Sequence, residues 1–265
     1  MKKILFSAAA VCAAGLAMAT SVESPNTFGV LKVSSTNAET VVSVPWEAVG
    51  SGNVKVKDFV MTSNMTAGDT LYLYNSTNKT YKGWVLSDGN SWTGLTAVAT
   101  MGGKSVSAGA DDTLDRGQAL IISRGNYDSG STPADSIYLY GQYTSTGVGT
   151  YTLTAGKATL FAPVNTTSSA FYLNRPEASE IPSGTTVACV DTWTNVNNGD
   201  TIRLQDKRGN SYVVTYNDTN WVLMLPGGNT TTAAAIIQPG MGAWYISTGN
   251  SNVSFTTTTV TGTKE

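Results

Sequence analysis

The chain lacks histidine altogether. It holds 2 Cys and 8 Pro, and only 13% of its side chains are charged. Each shortage excludes a class of chemistry. Two Cys and no His remove zinc fingers, thiol redox centres, Ser-His-Asp triads and imidazole metal sites. Sparse, nearly balanced charge, 16 basic against 18 acidic groups, fits neither a long coiled coil nor a basic nucleic-acid face. No nucleic-acid partner is expected. After Ala19 no run is apolar enough to span a membrane as a helix, so no transmembrane segment is expected in the mature chain. What fills the chain instead is Thr, 39 residues of it, with abundant Ser and Asn and 27 Gly. Thr, Val and Tyr suit a pleated surface, and Gly and Asn suit tight turns, so the composition favours an all-β fold.

The N-terminus reads as a targeting segment. Met1-Lys2-Lys3 is a basic start, Ile4 to Ala14 an apolar run, and Ala17-Met18-Ala19 an A-x-A cleavage signal. Residues 1–19 are therefore expected to be a cleaved signal peptide, too short in its apolar part for a membrane anchor. The mature protein is expected to be exported: periplasmic, on the cell surface or extracellular. Cleavage leaves 14 basic against 18 acidic groups, a formal charge of −4. It also removes Cys12 and leaves Cys189 alone, so no intrachain disulfide can form. On the alternating run Val187-Ala188-Cys189-Val190 that Cys reads as a small buried hydrophobe, and no basic cluster adjoins it to make a reactive thiolate.

An internal repeat organises the rest. A shift of 131 residues places Val41-Val42-Ser43-Val44-Pro45 on Tyr172-Leu173-Asn174-Arg175-Pro176, and Gly68-Asp69-Thr70-Leu71-Tyr72-Leu73 on Gly199-Asp200-Thr201-Ile202-Arg203-Leu204; eight of the 37 positions from Pro45 to Tyr81 are identical. Tyr81 falls on Tyr212. Further blocks follow in order with small deletions: Trp92 on Trp221, Arg116 to Ala119 on Met241 to Trp244, and Ile122 to Asn126 on Ile246 to Asn250. An ordered series of this kind predicts duplication.

Within each unit the runs alternate as strands do. Leu71 and Leu73 share one face of Thr70 to Tyr74, and Ser136 to Tyr140 alternates likewise. Turn residues separate the runs, as at Ala67-Gly68-Asp69, Asp88-Gly89-Asn90 and Pro226-Gly227-Gly228. Thr232 to Ile237 is the one short stretch with room for a helical turn. The reading is all-β: two tandem homologous β-sandwich-like lobes, residues 20–146 and 147–265, joined through a short Gly/Ser/Thr run at 144–149. Trp46, Phe59, Leu71, Leu73, Trp84, Trp92, Leu120 and Ile122 are expected to fill the first core. Phe161, Val187, Val190, Ile202, Leu204, Trp221, Trp244 and Ile246 are expected to fill the second. One fused β structure is the alternative.

The order of motifs (apolar-V-P, then G-D-x-[LI]-x-[LV], then a Trp-bearing hairpin, then a Gly-rich turn into a strand) resembles that of secreted β-repeat proteins of unknown function from Verrucomicrobia-type bacteria. So does the opening Ser24-Pro25-Asn26-Thr27-Phe28-Gly29-Val30-Leu31-Lys32-Val33. The family's closing element is similar to Pro239-Gly240-Met241-Gly242-Ala243-Trp244-Tyr245 and is eroded at Asp115-Arg116-Gly117-Gln118-Ala119-Leu120. The resemblance implies export to the envelope or beyond and carries over no catalytic residue and no cofactor.

Candidate chemistry is thin. Asp111, Asp112 and Asp115 form the densest acidic cluster, but their spacing matches no calcium loop. A solvated turn is the plain reading, and a weak calcium site the sharper one. Asp69 and Asp200 sit in the best-preserved blocks and read as turn residues beside a positive-φ Gly. Tyr72, Tyr74, Tyr138 and Tyr140 alternate opposite the Leu face. Such rows either pair across strands or stack on sugar rings with Asn and Thr as polar neighbours. A glycosidase would need two carboxylates at a fixed separation in one cleft, and nothing in the sequence marks such a pair. The expectation is a non-enzymatic, cofactor-free structural or interaction protein of the bacterial envelope or surface, contacting itself or other envelope components. The alternative is a polysaccharide-binding module using the four tyrosines.

Overall fold

The computed structural model describes residues 27–34, 39–44, 53–61, 65–88, 91–98, 104–109, 111–115, 117–125, 136–143, 150–163, 170–206 and 210–264. The expected signal peptide, Trp46, the join at 144–149, and the side chains of Phe59 and Tyr140 lie outside the described residues.

The fold is all-β. In the first half run β1 (Thr27–Ser34), β2 (Glu39–Ser43), β3 (Val54–Lys55), β4 (Val60–Met61), β5 (Thr70–Asn75), β6 (Thr80–Leu86), β7 (Trp92–Gly94), β8 (Lys104–Ser105), β9 (Thr113–Leu114), β10 (Ala119–Ser123) and β11 (Ser136–Tyr143). In the second run β12 (Thr150–Leu153), β13 (Ala158–Phe161), β14 (Phe171–Tyr172), β15 (Thr186–Thr194), β16 (Thr201–Gln205), β17 (Ser211–Tyr216), β18 (Trp221–Met224), β19 (Thr230–Thr231), β20 (Ile236–Ile237), β21 (Ala243–Ile246) and β22 (Val253–Thr261). Among the described residues no sheet mixes strands of the two halves, which share one isolated antiparallel bridge, Val42 with Met241. Among the described residues one helical turn, Val56–Phe59, and one 3₁₀ turn, Ala178–Glu180, interrupt the strands. The stretch from Thr232 makes a turn closed by Ala235 N–H on the Thr232 carbonyl and then enters β20, so no helix forms there. No described helix is long and apolar enough to cross a membrane.

Strand order is the same in both halves. The larger sheets run β2-β10-β5-β6-β7 and β13-β21-β16-β17-β18, and the facing sheets contain β1-β11-β4 and β12-β22-β15. The short pair β3-β9 corresponds to β14-β20. Strand register refines the repeat read from sequence. Thr70 and Thr201 both open the third strand of the order, opposite Ser123 and Ile246 respectively. Ile122 therefore matches Tyr245, one residue before the Ile246 of the sequence alignment. Tyr81 matches Ser211, one residue before Tyr212. Val41–Val44 matches the β13 region, since β2 and β13 are the edge neighbours of β10 and β21, and Tyr172 belongs to the other sheet.

That one-residue slip decides what is core. A strand's side chains alternate faces, so shifting the register by one exchanges inside for outside. Tyr245 is fully buried, whereas Ile246 is 46% exposed and Trp244 only half-buried on the outer face. Leu71, Trp84, Trp92, Leu120 and Ile122, with Phe161, Val187, Val190, Ile202, Leu204 and Trp221, are buried as expected, and Leu73 is half-buried against them. Val33, Ile137 and Leu139 meet the first group from the facing sheet, and Leu153, Phe171, Val253 and Phe255 meet the second. Aromatic contacts lock the second half, where Trp221 lies edge-on to Tyr245 with centroids 6.3 Å apart. The buried residues of both halves join into one connected cluster rather than two separate cores.

The halves meet through the outer faces of their larger sheets. Ser43 N–H donates to the Gly240 carbonyl at 2.8 Å, and Ala162 N–H to the Gly117 carbonyl at 3.4 Å. By register Ser43 corresponds to Ala162 and Gly117 to Gly240, so exchanging the halves maps one bond onto the other. The junction is approximately two-fold, the geometry of an isologous contact. Gly242 sits at its centre, where a Cβ would lie 2.7 Å from the Ala119 Cβ and 2.9 Å from the Val41 Cγ1. Only a residue without a side chain lets the sheets approach this closely.

Candidate functional site

Two carboxylates are fully buried among the described residues, Asp69 and Asp200, and both sit in the same turn. Gly68 and Gly199 take φ of +94° and +88°, a conformation that only Gly adopts cheaply. The following Asp then begins a strand. Asp69 N–H bonds the Thr66 carbonyl and Asp200 N–H the Asn197 carbonyl, both at 3.0 Å. Each carboxylate reaches back to the N–H of the same residue, Thr66 or Asn197, at 2.9 Å. The other oxygen accepts from a distant strand end: Gly125 N–H at 2.8 Å for Asp69 and Thr248 N–H at 2.6 Å for Asp200.

The clamps differ in their remaining partners. Asp69 forms a buried ion pair with Arg124 at 3.1 Å and accepts from the Thr66 hydroxyl. Asp200 accepts from the Tyr245 and Thr248 hydroxyls. Burial alone would raise the Asp200 carboxyl, but the donors from Thr248, Tyr245 and Asn197 outweigh it and hold the group below the usual carboxylate range. Burial, and then the bond to Asp200, push the Tyr245 phenol well above its ordinary value. A carboxylate this well supplied with donors stays ionised and has no lone pair directed at a substrate. The sequence reading as a turn residue is correct in kind. It missed the tie to Gly125 and Thr248, because partners 48 to 56 positions away leave no local pattern.

The four tyrosines do not form one row. Tyr72 and Tyr74 lie on β5, whereas Tyr138 and Tyr140 lie on β11 in the facing sheet. Tyr72 is half-buried against the small cluster of Val41, Ala119, Ile121 and Ala162 at the junction. Tyr74 packs on Tyr81 and on Trp244 of the other half, with ring centroids 4.7 Å and 5.4 Å away. Tyr138 is half-buried. Beside the Tyr74–Trp244 contact a small cleft opens between the halves, lined by Glu39, Val41, Ile121, Arg203, Gln205 and Trp244 among others. Gln205 spans it: its amide oxygen accepts from Val41 N–H at 2.9 Å and its amide nitrogen donates to the Glu39 carbonyl at 3.1 Å.

The acidic cluster is spread over separate partners. Asp111 pairs with Lys57 at 2.7 Å and Lys55 at 3.3 Å, and Asp112 with Lys82 at 3.1 Å. Asp115 accepts from Asn53 and Gln118. Among the described residues no three Asp, Glu or Cys converge as a metal site would require. Cys189 is fully buried, and burial pushes its thiol up to about 11. No protein-family model matches this chain, and no curated protein matches it.

Proposed function

We propose that this chain is a duplicated, exported β-protein with a non-catalytic structural or interaction role at the bacterial envelope or surface. The observation that carries the reading is the pair of carboxylate clamps. The two best-preserved acidic residues occupy equivalent turns, and their oxygens are spent on backbone and hydroxyl donors that close the fold. The matching strand order supports descent of both halves from one unit, in keeping with the likeness to secreted β-repeat proteins. The test is a binding experiment: mature protein incubated with washed envelope fractions, and sedimentation velocity over a wide concentration range. Retention by the envelope or concentration-dependent assembly is expected. A monomer at every concentration that the envelope never retains sinks the proposal.

A polysaccharide-binding reading has one observation in its favour, the contacting half-buried rings of Tyr74 and Trp244 beside the polar side chains of Glu39, Arg203 and Gln205. Such a site would quench or shift Trp244 fluorescence on adding envelope polysaccharide, and Trp244→Ala would abolish the response. A flat titration removes it.

A further inference from the structure

The two halves differ at one sheet edge. In the first, β6 is bordered by β7 over Trp84 to Leu86 and then, further down, by β8, which runs parallel to it at Thr80 and Tyr81. Lys104 N–H donates to the Lys79 carbonyl and Val106 N–H to the Tyr81 carbonyl, both at 2.9 Å. Val98 completes the cover, packed over Gly83 and buried. In the second half the strand matching β6 is β17, and β18 pairs with it only at Thr215 and Tyr216. The chain then turns back at once through Gly227 and Gly228, both at positive φ, into β19. The shorter return leaves no counterpart of β8. Among the described residues no strand borders Ser211–Val214 on that side.

The first half also fixes which groups face outward. The Tyr81 and Gly83 carbonyls accept from Val106 and Leu95, away from β5. Their register mates are Ser211 and Val213. In an antiparallel strand the N–H and C=O of one residue point to the same side, so both groups of Ser211 and of Val213 face the open edge. Exposed apolar side chains gather there: Val213 is 47% exposed, Met224 68% and Leu225 39%. On the outer face Val213 stands beside Arg203, and Arg203 beside Trp244, so the patch continues into the junction between the halves. β17 itself, Ser-Tyr-Val-Val-Thr-Tyr, carries no charge, Pro or bulge of the kind that blunts a sheet edge.

We infer that the open edge of β17 at Ser211–Val214 accepts an extended strand of a partner polypeptide with the chemistry of Lys104 to Ala108, small polar residues around one apolar β-branched side chain, which completes the second half as β8 completes the first. This deepens the interaction role proposed above and rests on it for its biological meaning, not for its geometry. Main-chain bonds to Ser211 and Val213 supply the attachment, and an apolar side chain over Val213 and Met224 supplies selectivity.

The probe is a synthetic peptide of residues 103–109, the stretch that carries β8, added at up to millimolar concentration to the mature protein. Amide hydrogen exchange by NMR is the readout. In the free protein Ser211 and Val213 amides are expected to exchange at least tenfold faster than those of Tyr212 and Val214, which face β16; with peptide they slow at least tenfold. Val213→Pro removes an outward N–H and no ladder bond, so it is expected to keep the fold and abolish the protection. Val213→Asp, which leaves the backbone intact, weakens binding at least tenfold and serves if the proline variant does not fold. The inference falls if Ser211 and Val213 are already protected in the free monomer. It also falls if the peptide protects other residues instead, or if Val213→Asp binds unchanged. Peptide binding at this edge with neither envelope retention nor concentration-dependent assembly supports the edge and sinks the interaction role. Envelope retention undiminished by Val213→Asp supports the role and overturns this edge as its contact.

Discussion

Replacing Asp200 with Asn tests whether the clamp closes the second half. The side chain is fully buried and accepts four bonds: from Asn197 N–H, Thr248 N–H, the Thr248 hydroxyl and the Tyr245 hydroxyl. An amide keeps one oxygen and turns the other into a donor. Hydroxyls can rotate to accept from it, but a backbone N–H cannot, so one of the two N–H groups is orphaned. An orphaned buried donor costs about 1–3 kcal/mol, and bonds to a charged acceptor are worth more than neutral ones. The expected loss is about 2–4 kcal/mol at pH 7, read from urea unfolding followed by Trp fluorescence. The pH dependence carries its own sign. The folded carboxyl titrates below its ordinary value, so its contribution is complete above the unfolded pKa of about 4 and is lost as pH falls through the folded one. The gap between the parent protein and Asp200→Asn should therefore be constant from pH 5 to 8 and narrow by pH 3. A loss under about 0.5 kcal/mol at pH 7, the scatter of an ordinary surface substitution, or a gap independent of pH refutes the argument.

Asp69→Asn is expected to be more damaging than Asp200→Asn, with a total loss of about 3–5 kcal/mol in the same urea assay, because it removes the charge from a buried ion pair with Arg124. Gly242→Val should cost about 1–3 kcal/mol by overpacking the junction against Ala119 and Val41, and a loss there below about 1 kcal/mol would disprove the close approach; Gly199→Ala, with nothing within 4 Å of the added methyl, should lose about 1 kcal/mol to its positive φ alone. Cys189 should resist thiol reagents at pH 8 in the native state and react fully in urea, in line with a buried thiol at about 11. Tyr212, pushed by burial to about 12, keeps its proton in the folded state after an unfolded tyrosine has lost it. Stability should therefore fall as pH rises above about 10, with the late phenolate visible in ultraviolet absorbance.

Fold class and the principal turn were legible because they rest on local chemistry. Alternation marked Leu71 and Leu73 as one face, and Gly-Asp marked both reversals. Register was not legible at the ends of the aligned blocks. Ile122 and Ile246 look alike in sequence, yet it is Tyr245 that takes the place of Ile122. Its ring fills the core and its hydroxyl finds Asp200, so an amphipathic residue does what an aliphatic one does in the first half. Alternation in the β5 tyrosines was visible too, but whether a row faces water or another sheet depends on how two distant sheets dock. No spacing within β5 encodes the arrival of Trp244 over Tyr74. The same holds for Asp69, whose partner Arg124 follows β10, far along the chain from the Gly68-Asp69 turn.

The docking of the halves accounts for where the two copies differ. An approximately two-fold junction demands complementary surfaces, yet equivalent positions meet near its centre, and two bulky residues cannot share that space. Ala119 and Gly242 are such a pair, and the smaller one admits Val41 as well. Farther out, the positions equivalent to Tyr72 and Tyr74 are Arg203 and Gln205, so aromatic bulk from one half lies over Trp244 while the Gln205 amide from the other bonds the β2 backbone and Arg203 lines the cleft beside it. Divergence here follows from docking one sheet face against its own likeness. A symmetric pair of tyrosine rows would collide, and a symmetric pair of polar rows would leave β2 without an apolar cover. Mutual exchange, Tyr74→Gln together with Gln205→Tyr, should then be tolerated better than Gln205→Tyr alone, because the pair preserves one aromatic and one amide across the junction. Thermal unfolding of the two variants measures it, and a double variant no more stable than the single one would show that the junction does not depend on that complementarity.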